Sequence, residues 1–484
     1  MPRTVRVREL ARWVDPERVF LELTAGRSTA AWLDGGIDAV SGRSVIAVVD
    51  ESSPELVVHN AEDPRTVLDD LAARLAALRA VIDDGDEARD GIGAGTRDGH
   101  GGASDAERTA LGWIGWFGYE FGARALGLPV AAASTPDAAF VFVERVVVFD
   151  HAARRVRLEW LDLGASGSAS GAEWADVTAE RIERLADVAS TVPSHRGRAP
   201  DPATPAPTVD WRHDDVEYAR MIAECRAAIV RGDAYQLCLT NRVDVDVRPD
   251  PVEAYLRLRR SSPSHHGGFL RFGDVALLSA SPEQFLFVER DGTVSTRPMK
   301  GTRRRDADAE IDRMLRAELA ASDKERAENL MIVDLMRNDL TRIAAPGSVH
   351  VPVLLETEEY AHVHQLVSTV SARLRPPLTA VDAVAAAFPA GSMTGAPKES
   401  AMRILYTLER GPRGVYSGAF GTLAVDGSAD LAMVIRSIVL TADGASIGTG
   451  GGITALSEPE AEIEETRIKA RALLEVLLGS DSTG

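Results

Sequence analysis

One lysine stands inside the segment STRPMKGTRRR, Ser295 to Arg305, with Arg297 before it and Arg303, Arg304 and Arg305 after it. Pro298 and Gly301 flank Lys300 closely, which predicts a turn rather than a helix interior. A free lysine titrates near ~10.4 and is protonated and non-nucleophilic at neutral pH. Burial and neighbouring positive charge, from Arg297 or a metal ion, would lower that value and make Lys300 a nucleophile. Glu283, in SASPEQF, precedes it by 17 residues. If the intervening chain folds back as a hairpin, carboxyl and amine share one pocket and can exchange a proton. Two further acidic pairs stand three residues apart: Glu325 with Glu328, and Glu462 with Glu465, the latter followed by Lys469. On helices each pair shares a face. Any one pair reads most simply as solvated charge. Two converging pairs could hold Mg²⁺ through oxygen while leaving room for water and an anionic substrate.

Small residues supply the other candidates. GSMTGAPK, Gly391 to Lys398, is not a P-loop, because Pro397 replaces a required glycine and no Ser/Thr follows the lysine. Its Ser392 and Thr394 lead into a predicted helix with Pro397 at the first position, an entry suited to an anion. GTGGGIT, Gly448 to Thr454, reads as a loop between a strand and the last helix. There Gly450, Gly451 and Gly452 would let backbone N–H groups approach a ligand. Arg436 interrupts the apolar run LAMVIRSIVL as either an edge residue or a carboxylate clamp.

The elements that must position these residues are of ordinary length. DVEYARMIAECRAAIVRG predicts a helix ending on Gly232, and KERAENLMIVDLMRNDLTRIA one starting near Ser322 or Asp323. PEAEIEETRIKARALLEVLL predicts the closing helix. AAFVFVERVVVFD and RRVRLEWLDL read as paired strands, YQLCLTNRVDVDV as one strand, and DVALLSASPEQFLFVERDGTVSTRP as two strands turning at Asp291-Gly292. There is no βαβ rhythm, so the expected class is α+β. Composition breaks at a mobile surface loop over 83–108, a flexible connection from Leu163 to Trp174 and a Pro-rich linker over 191–211. These divide the 484 residues into a region over 1–190 and a second over 212–479. A formal charge of −19 and 45% hydrophobic content argue against a nucleic-acid partner and for an ample core. The two cysteines, Cys225 and Cys238, form no CxxC and read as small core residues of a reducing compartment. With no signal-like start and no long apolar run, the expectation is a cytoplasmic chain without a membrane partner.

Together the segments YQLCLTNR, SASPEQFL, TRPMKGT, KERAENLMIVDLMRNDL, VHQLVSTV, AFPAGSMTGAPKESAM, GVYSGAFG, VIRS and GTGGGITALSEPEAEIEETRIKA closely resemble the chorismate-utilising enzymes. More loosely, GWIGWFGYEFG and SGRSVI resemble the N-terminal part of that family. The resemblance implies an anthranilate-synthase-like fold: two large, mostly antiparallel sheets packed as a sandwich with helices outside. It implies Mg²⁺ at Glu328 and Glu465, with Glu325 and Glu462 beside them. It places Tyr416, Arg436, Gly450, Gly452 and Lys469 on the substrate's carboxylates, with Gly451, Ser392, Thr394 and Thr302 also lining the substrate. Relatives that add water to chorismate have a lysine where this chain has Gln236, so hydration is disfavoured. The lysine of PMKGT is similar to that of the aminodeoxychorismate synthase branch, where it attacks the ring. That resemblance implies conversion of chorismate and ammonia to 4-amino-4-deoxychorismate through a covalent Lys300 adduct, for para-aminobenzoate and folate synthesis. Glu283 would handle the proton, and a separate glutamine amidotransferase subunit would supply ammonia. The alternatives are an anthranilate synthase large subunit or a non-catalytic chorismate-binding subunit. Many relatives have a histidine before LVS. Here Gln365 takes that place and His364 precedes it, which on a strand turns the imidazole to the other face. Relatives hold tryptophan through an L-x-S-like segment, which WLDGG (Trp32 to Gly36) replaces without a serine, so feedback inhibition is not expected.

Overall fold

The structure is a computed structural model, which describes residues 4–24, 26–86, 108–162, 171–187, 207–360 and 363–479. The expected mobile loop and Pro-rich linker fall mostly outside these residues. Their edges are ordered differently from expectation. A helix spans Pro64–Asp86, another starts at Gly171 within the supposed flexible connection, and Val209–Trp211 is a strand.

Two antiparallel sheets dominate. The first runs in the order Thr4–Glu9, Arg155–Asp162, Arg145–Asp150, Arg43–Ala47, Thr29–Asp34, His266–Phe272, Val275–Ser281, Ser437–Thr441, Gly444–Ile453, Gln236–Val245, Gly395–Ala396, with Val209–Trp211 also on Gln236–Val245. The second runs Met299–Arg304, Val363–Arg373, Thr293–Thr296, Gln284–Val288, Ala429–Met433, Ala419–Ala424, Gly112–Phe117, Ala138–Val143, Glu55–Val58, with His350–Glu359 on Val363–Arg373. Each sheet takes strands from both ends of the chain. Their inner faces meet in one apolar cluster, where the Trp116 and Phe272 rings lie 4.9 Å apart, edge to face. Helices Pro16–Thr24, Pro251–Ser261 and Pro459–Leu478 cover the outer face of the first sheet. The expected sandwich with helices outside is what forms.

Several apolar runs that read as single strands are two strands in different sheets. AAFVFVERVVVFD leaves the second sheet and enters the first at Glu144. VALLSASPEQFLFV changes sheets at Pro282-Glu283, where proline has no N–H to continue a ladder. LAMVIRSIVL changes sheets between Met433 and Ser437, so Arg436 lies in neither strand. Burial on both faces gives these strands continuous apolar sequence, so nothing in the pattern marks the crossing. The crossings pair with one another: Met433 N–H donates to Glu283 O (3.0 Å), Ala280 N–H to Arg436 O (3.1 Å) and Ser417 N–H to Val434 O (3.0 Å). Arg436 and Ser417 hold positive φ there, 49° and 64°. Such strain in non-glycine residues persists where surroundings enforce it and clusters at functional sites.

A buried ion pair fixes this seam. Arg413 Nη2 lies 2.6 Å from Glu409 Oε1 and its Nε 2.8 Å from Oε2. The same guanidinium donates to Met393 O (2.6 Å) and Cys238 O (2.8 Å) and stacks 4.2 Å from the Tyr119 ring centre. Glu120 accepts from Arg413 N–H (2.7 Å) and Gly414 N–H (2.9 Å). Removing one partner of such a pair leaves an uncompensated buried charge. Arg413→Met should lower unfolding free energy by about 3–5 kcal/mol. Adding Glu409→Leu should recover only the part due to the uncompensated carboxylate, because Met393 O, Cys238 O and Thr240 N–H still lack their partners. Chemical denaturation of the two variants checks both statements.

Candidate active site

Lys300 sits on the edge strand Met299–Arg304, not in a turn. The strand bulges at Gly301, between the pairs Lys300–Leu366 and Thr302–Gln365. Gly301 has φ 69°, and a Cβ there would lie 2.7 Å from Leu319 and 2.9 Å from the Glu325 carboxylate. Only glycine lets the helix Asp323–Thr341 come this close. That helix starts as expected, with Ser322 Oγ accepting from Glu325 N–H. Asn329 further ties it to the sheet, donating to Pro298 O (3.5 Å) and accepting from Ser368 Oγ (2.5 Å).

The four arginines do not surround the amine. Arg297 binds Glu358 (2.5 Å), Arg303 binds Glu318 (3.1 Å), Arg304 pairs with Asp306, and Arg305 binds Asp312 (2.9 Å). Carboxylates face Lys300 instead. Burial alone would push its ammonium down, but Glu328, Cys238, Glu283 and Glu465 outweigh it, and the pKa ends above the ordinary value. The expected depression by Arg297 is thereby corrected. Glu283, 6% exposed at the sheet crossing, is pushed up by burial, against the pull of Lys300 and Ser392. Ser392 Oγ, in the turn Gly391–Met393, is buried and closes no hydrogen bond of normal geometry.

Two helices bring the acidic pairs together. Burial raises Glu328 to about 7, and its buried Oε1 has no hydrogen-bond partner among the described residues. Lys324, which the sequence reading passed over, stands between the helices, 3.2 Å from Glu462 and 3.9 Å from Glu328. Its position four residues before Glu328 was the available signal. Burial would raise Glu465, but Lys469 at 2.7 Å outweighs it and the pKa ends low. Lys469 also donates to Gly450 O (2.7 Å). Among the described residues no three acidic, imidazole or thiol groups converge closely enough to hold a metal alone. Mg²⁺ does not require that, since one or two carboxylates plus substrate and water oxygens suffice. The orphaned oxygen of Glu328 and the lysine-bridged acidic wall fit such an ion.

The glycine run is strand, not loop. Gly444–Ile453 pairs with Gln236–Val245, placing Gly452 opposite Cys238 and Gly450 opposite Thr240. A Cβ at Gly452 would lie 2.4 Å from Gln236 Nε2, at Gly451 2.9 Å from Glu462, and at Gly448 2.0 Å from the Tyr416 ring. Gln236 is buried with its Oε1 unpartnered. Arg436 lies exposed in an open cleft whose walls desolvate it and lower its pKa. Among the described residues its guanidinium makes no ion pair or hydrogen bond.

The remaining expected residues lie as follows. Thr394 Oγ1 donates to Ala390 O (3.2 Å) within its turn, and Thr302 is exposed. Pro397 is the N-cap rather than the first residue of helix Lys398–Glu409, and Lys398 binds Asp339 (2.7 Å). His364 binds Asp312 (2.9 Å) on the helix Ala309–Ala321. Cys225 and Cys238 are buried free thiols.

The match to known proteins covers most of the chain. Residues 52–475 match the family described as chorismate binding enzyme. The chain belongs to that family. Over 373 residues it is 46% identical to an aminodeoxychorismate synthase of Streptomyces pristinaespiralis, covering 76% of this chain and 51% of the relative. The chain thus spans about half that relative's length. It is 39% identical over 371 residues to aminodeoxychorismate synthase component 1 of Klebsiella aerogenes, covering 76% and 77% of the two chains. The solved anthranilate synthase component I of Streptococcus pneumoniae superposes with a TM-score of 0.69 at 28% identity, over 95% of this chain and 97% of that one. As in the sequence, no helix among the described residues is long and apolar enough to cross a membrane.

In this member of the family Glu328 carries a testable electrostatic cost. Its carboxyl holds a proton in the folded state at pH values where the unfolded chain has released it. Stability is therefore lost as pH rises from the unfolded value toward about 7. With EDTA present, Glu328→Gln should gain stability over the parent between about pH 5 and pH 8, by on the order of 2–3 kcal/mol. Denaturation midpoints at the two pH values give the comparison.

Proposed function

We propose that the chain acts as an aminodeoxychorismate synthase component, converting chorismate and ammonia to 4-amino-4-deoxychorismate for para-aminobenzoate and folate synthesis in the cytoplasm. One observation carries the reading: Lys300 lies within electrostatic reach of Glu283 and of Glu328 and Glu465 on the helix pair, so a nucleophile and a proton carrier stand together beside the acidic wall. Arg436, without a partner among the described residues, and Lys469 provide positive charge for the substrate's carboxylates. A Mg²⁺ ion held by Glu328 and Glu465, with Glu325 and Glu462 beside them, would supply positive charge to the substrate and to this acidic wall.

The chain's residues then divide the substitution into two steps. Lys300, an ammonium among its carboxylates, first passes a proton to Glu283, whose burial favours the protonated form; the amine so formed bonds to the ring as the C–O bond of the ring hydroxyl breaks, and Glu283 gives that proton on so that water leaves. Ammonia then bonds to the ring as the C–N bond to Lys300 breaks. The surplus ammonium proton returns to Glu283, and Lys300 is again a free amine. The component 1 name of the Klebsiella aerogenes relative supports a second subunit, which we assign as a glutamine amidotransferase delivering ammonia. The structural likeness to an anthranilate synthase supports a second reading with anthranilate as product. Lys300 weighs against it, since that branch typically has a small residue there.

With chorismate, Mg²⁺ and excess ammonium, intact-protein mass spectrometry should show a ring adduct in the parent and none in Lys300→Ala. Amination by the variant should fall at least ~100-fold, the scale of losing an activated nucleophile. An adduct surviving in the variant would remove Lys300 from this role.

A further inference from the structure

The strand Gly444–Ile453 carries a second feature beyond the site. Gly452 lies under the Gln236 amide and Gly448 under the Tyr416 ring. Past that ring, a concavity opens over Gly448 and Ser446, lined by Arg212, Arg242 and Thr135 with Arg413 at its base. Its lining holds three arginines and no carboxylate. Arg413 is satisfied by Glu409 and backbone carbonyls. Arg242 pairs with exposed Asp244 (2.7 Å), which is not part of the lining. Arg212 donates to Pro412 O (2.7 Å) and has no ion pair among the described residues. Burial first, and then repulsion from Arg242, push its pKa down against the pull of Glu409, Asp244 and Glu120. Thr135 is 7% exposed, and its buried hydroxyl has no hydrogen-bond partner among the described residues. Two like charges and a buried hydroxyl thus surround a space whose lining contributes no carboxylate.

We propose that this concavity binds one compact oxyanion, a phosphate or carboxylate group, between the Arg212 guanidinium, Arg242 and the Thr135 hydroxyl. Guanidinium donors in a fork suit either oxyanion, and the hydroxyl donates a further hydrogen bond to it. Formation of 4-amino-4-deoxychorismate does not require this site, so the inference goes beyond the proposed function and stands or falls separately.

Equilibrium dialysis of the full chain against radiolabelled inorganic phosphate, with EDTA to exclude a metal-bound ion, tests it. The expected result is saturable binding of one phosphate per chain. Arg212→Gln should weaken it roughly tenfold or more and Thr135→Val about threefold, while the exposed Arg220→Gln, a control for net charge, should leave it unchanged. Displacement by acetate extends the site to carboxylates, and failure to displace restricts it to phosphate. Thr135→Val, which removes only a hydroxyl, serves if Arg212→Gln does not fold. Absence of saturable binding, or equal binding by the folded Arg212→Gln chain, would each overturn the proposal.

Discussion

The buried Arg413–Glu409 pair is the constraint on which the site depends. It joins the turn that carries Ser392, through Met393 O, to the strand that carries Gln236, through Cys238 O. Its own backbone is held by Glu120 from the N-terminal half. A charge pair this deep is not a cheap source of stability. Its contribution here is geometric: it aligns segments distant in sequence at the point where strands leave one sheet for the other.

That seam explains why the reactive groups can meet. A strand inside a sheet gives alternate side chains to two faces. Where it crosses between sheets it can turn a residue into the gap. Glu283 and Arg436 occupy such crossings, while Lys300 reaches the gap from a bulged edge strand. The helix pair closes the remaining side with its carboxylates. The outcome is a half-open cleft with more carboxylates than ammonium groups, and Lys300, Lys324 and Lys469 are distributed through it.

Much of this was legible in the sequence. Helix limits at Ser322 and Gly232 follow from capping chemistry, and the acidic spacings gave two helix faces correctly. Sheet crossings were not legible, because strands buried on both faces look alike in either sheet. That is why Arg436 read as a strand residue. The glycine run read as a loop because its need for glycine comes from Gln236, Glu462 and Tyr416, which are distant in sequence. The arginines around Lys300 suggested a positive field. Their partners, Glu358, Glu318 and Asp312, lie on other elements and cancel it.

The most direct test of the account is the identity of the product formed from chorismate, Mg²⁺ and ammonium. The account predicts a non-aromatic amino product that yields para-aminobenzoate only after an aminodeoxychorismate lyase is added. Fluorescent anthranilate formed by the chain without that lyase would contradict it.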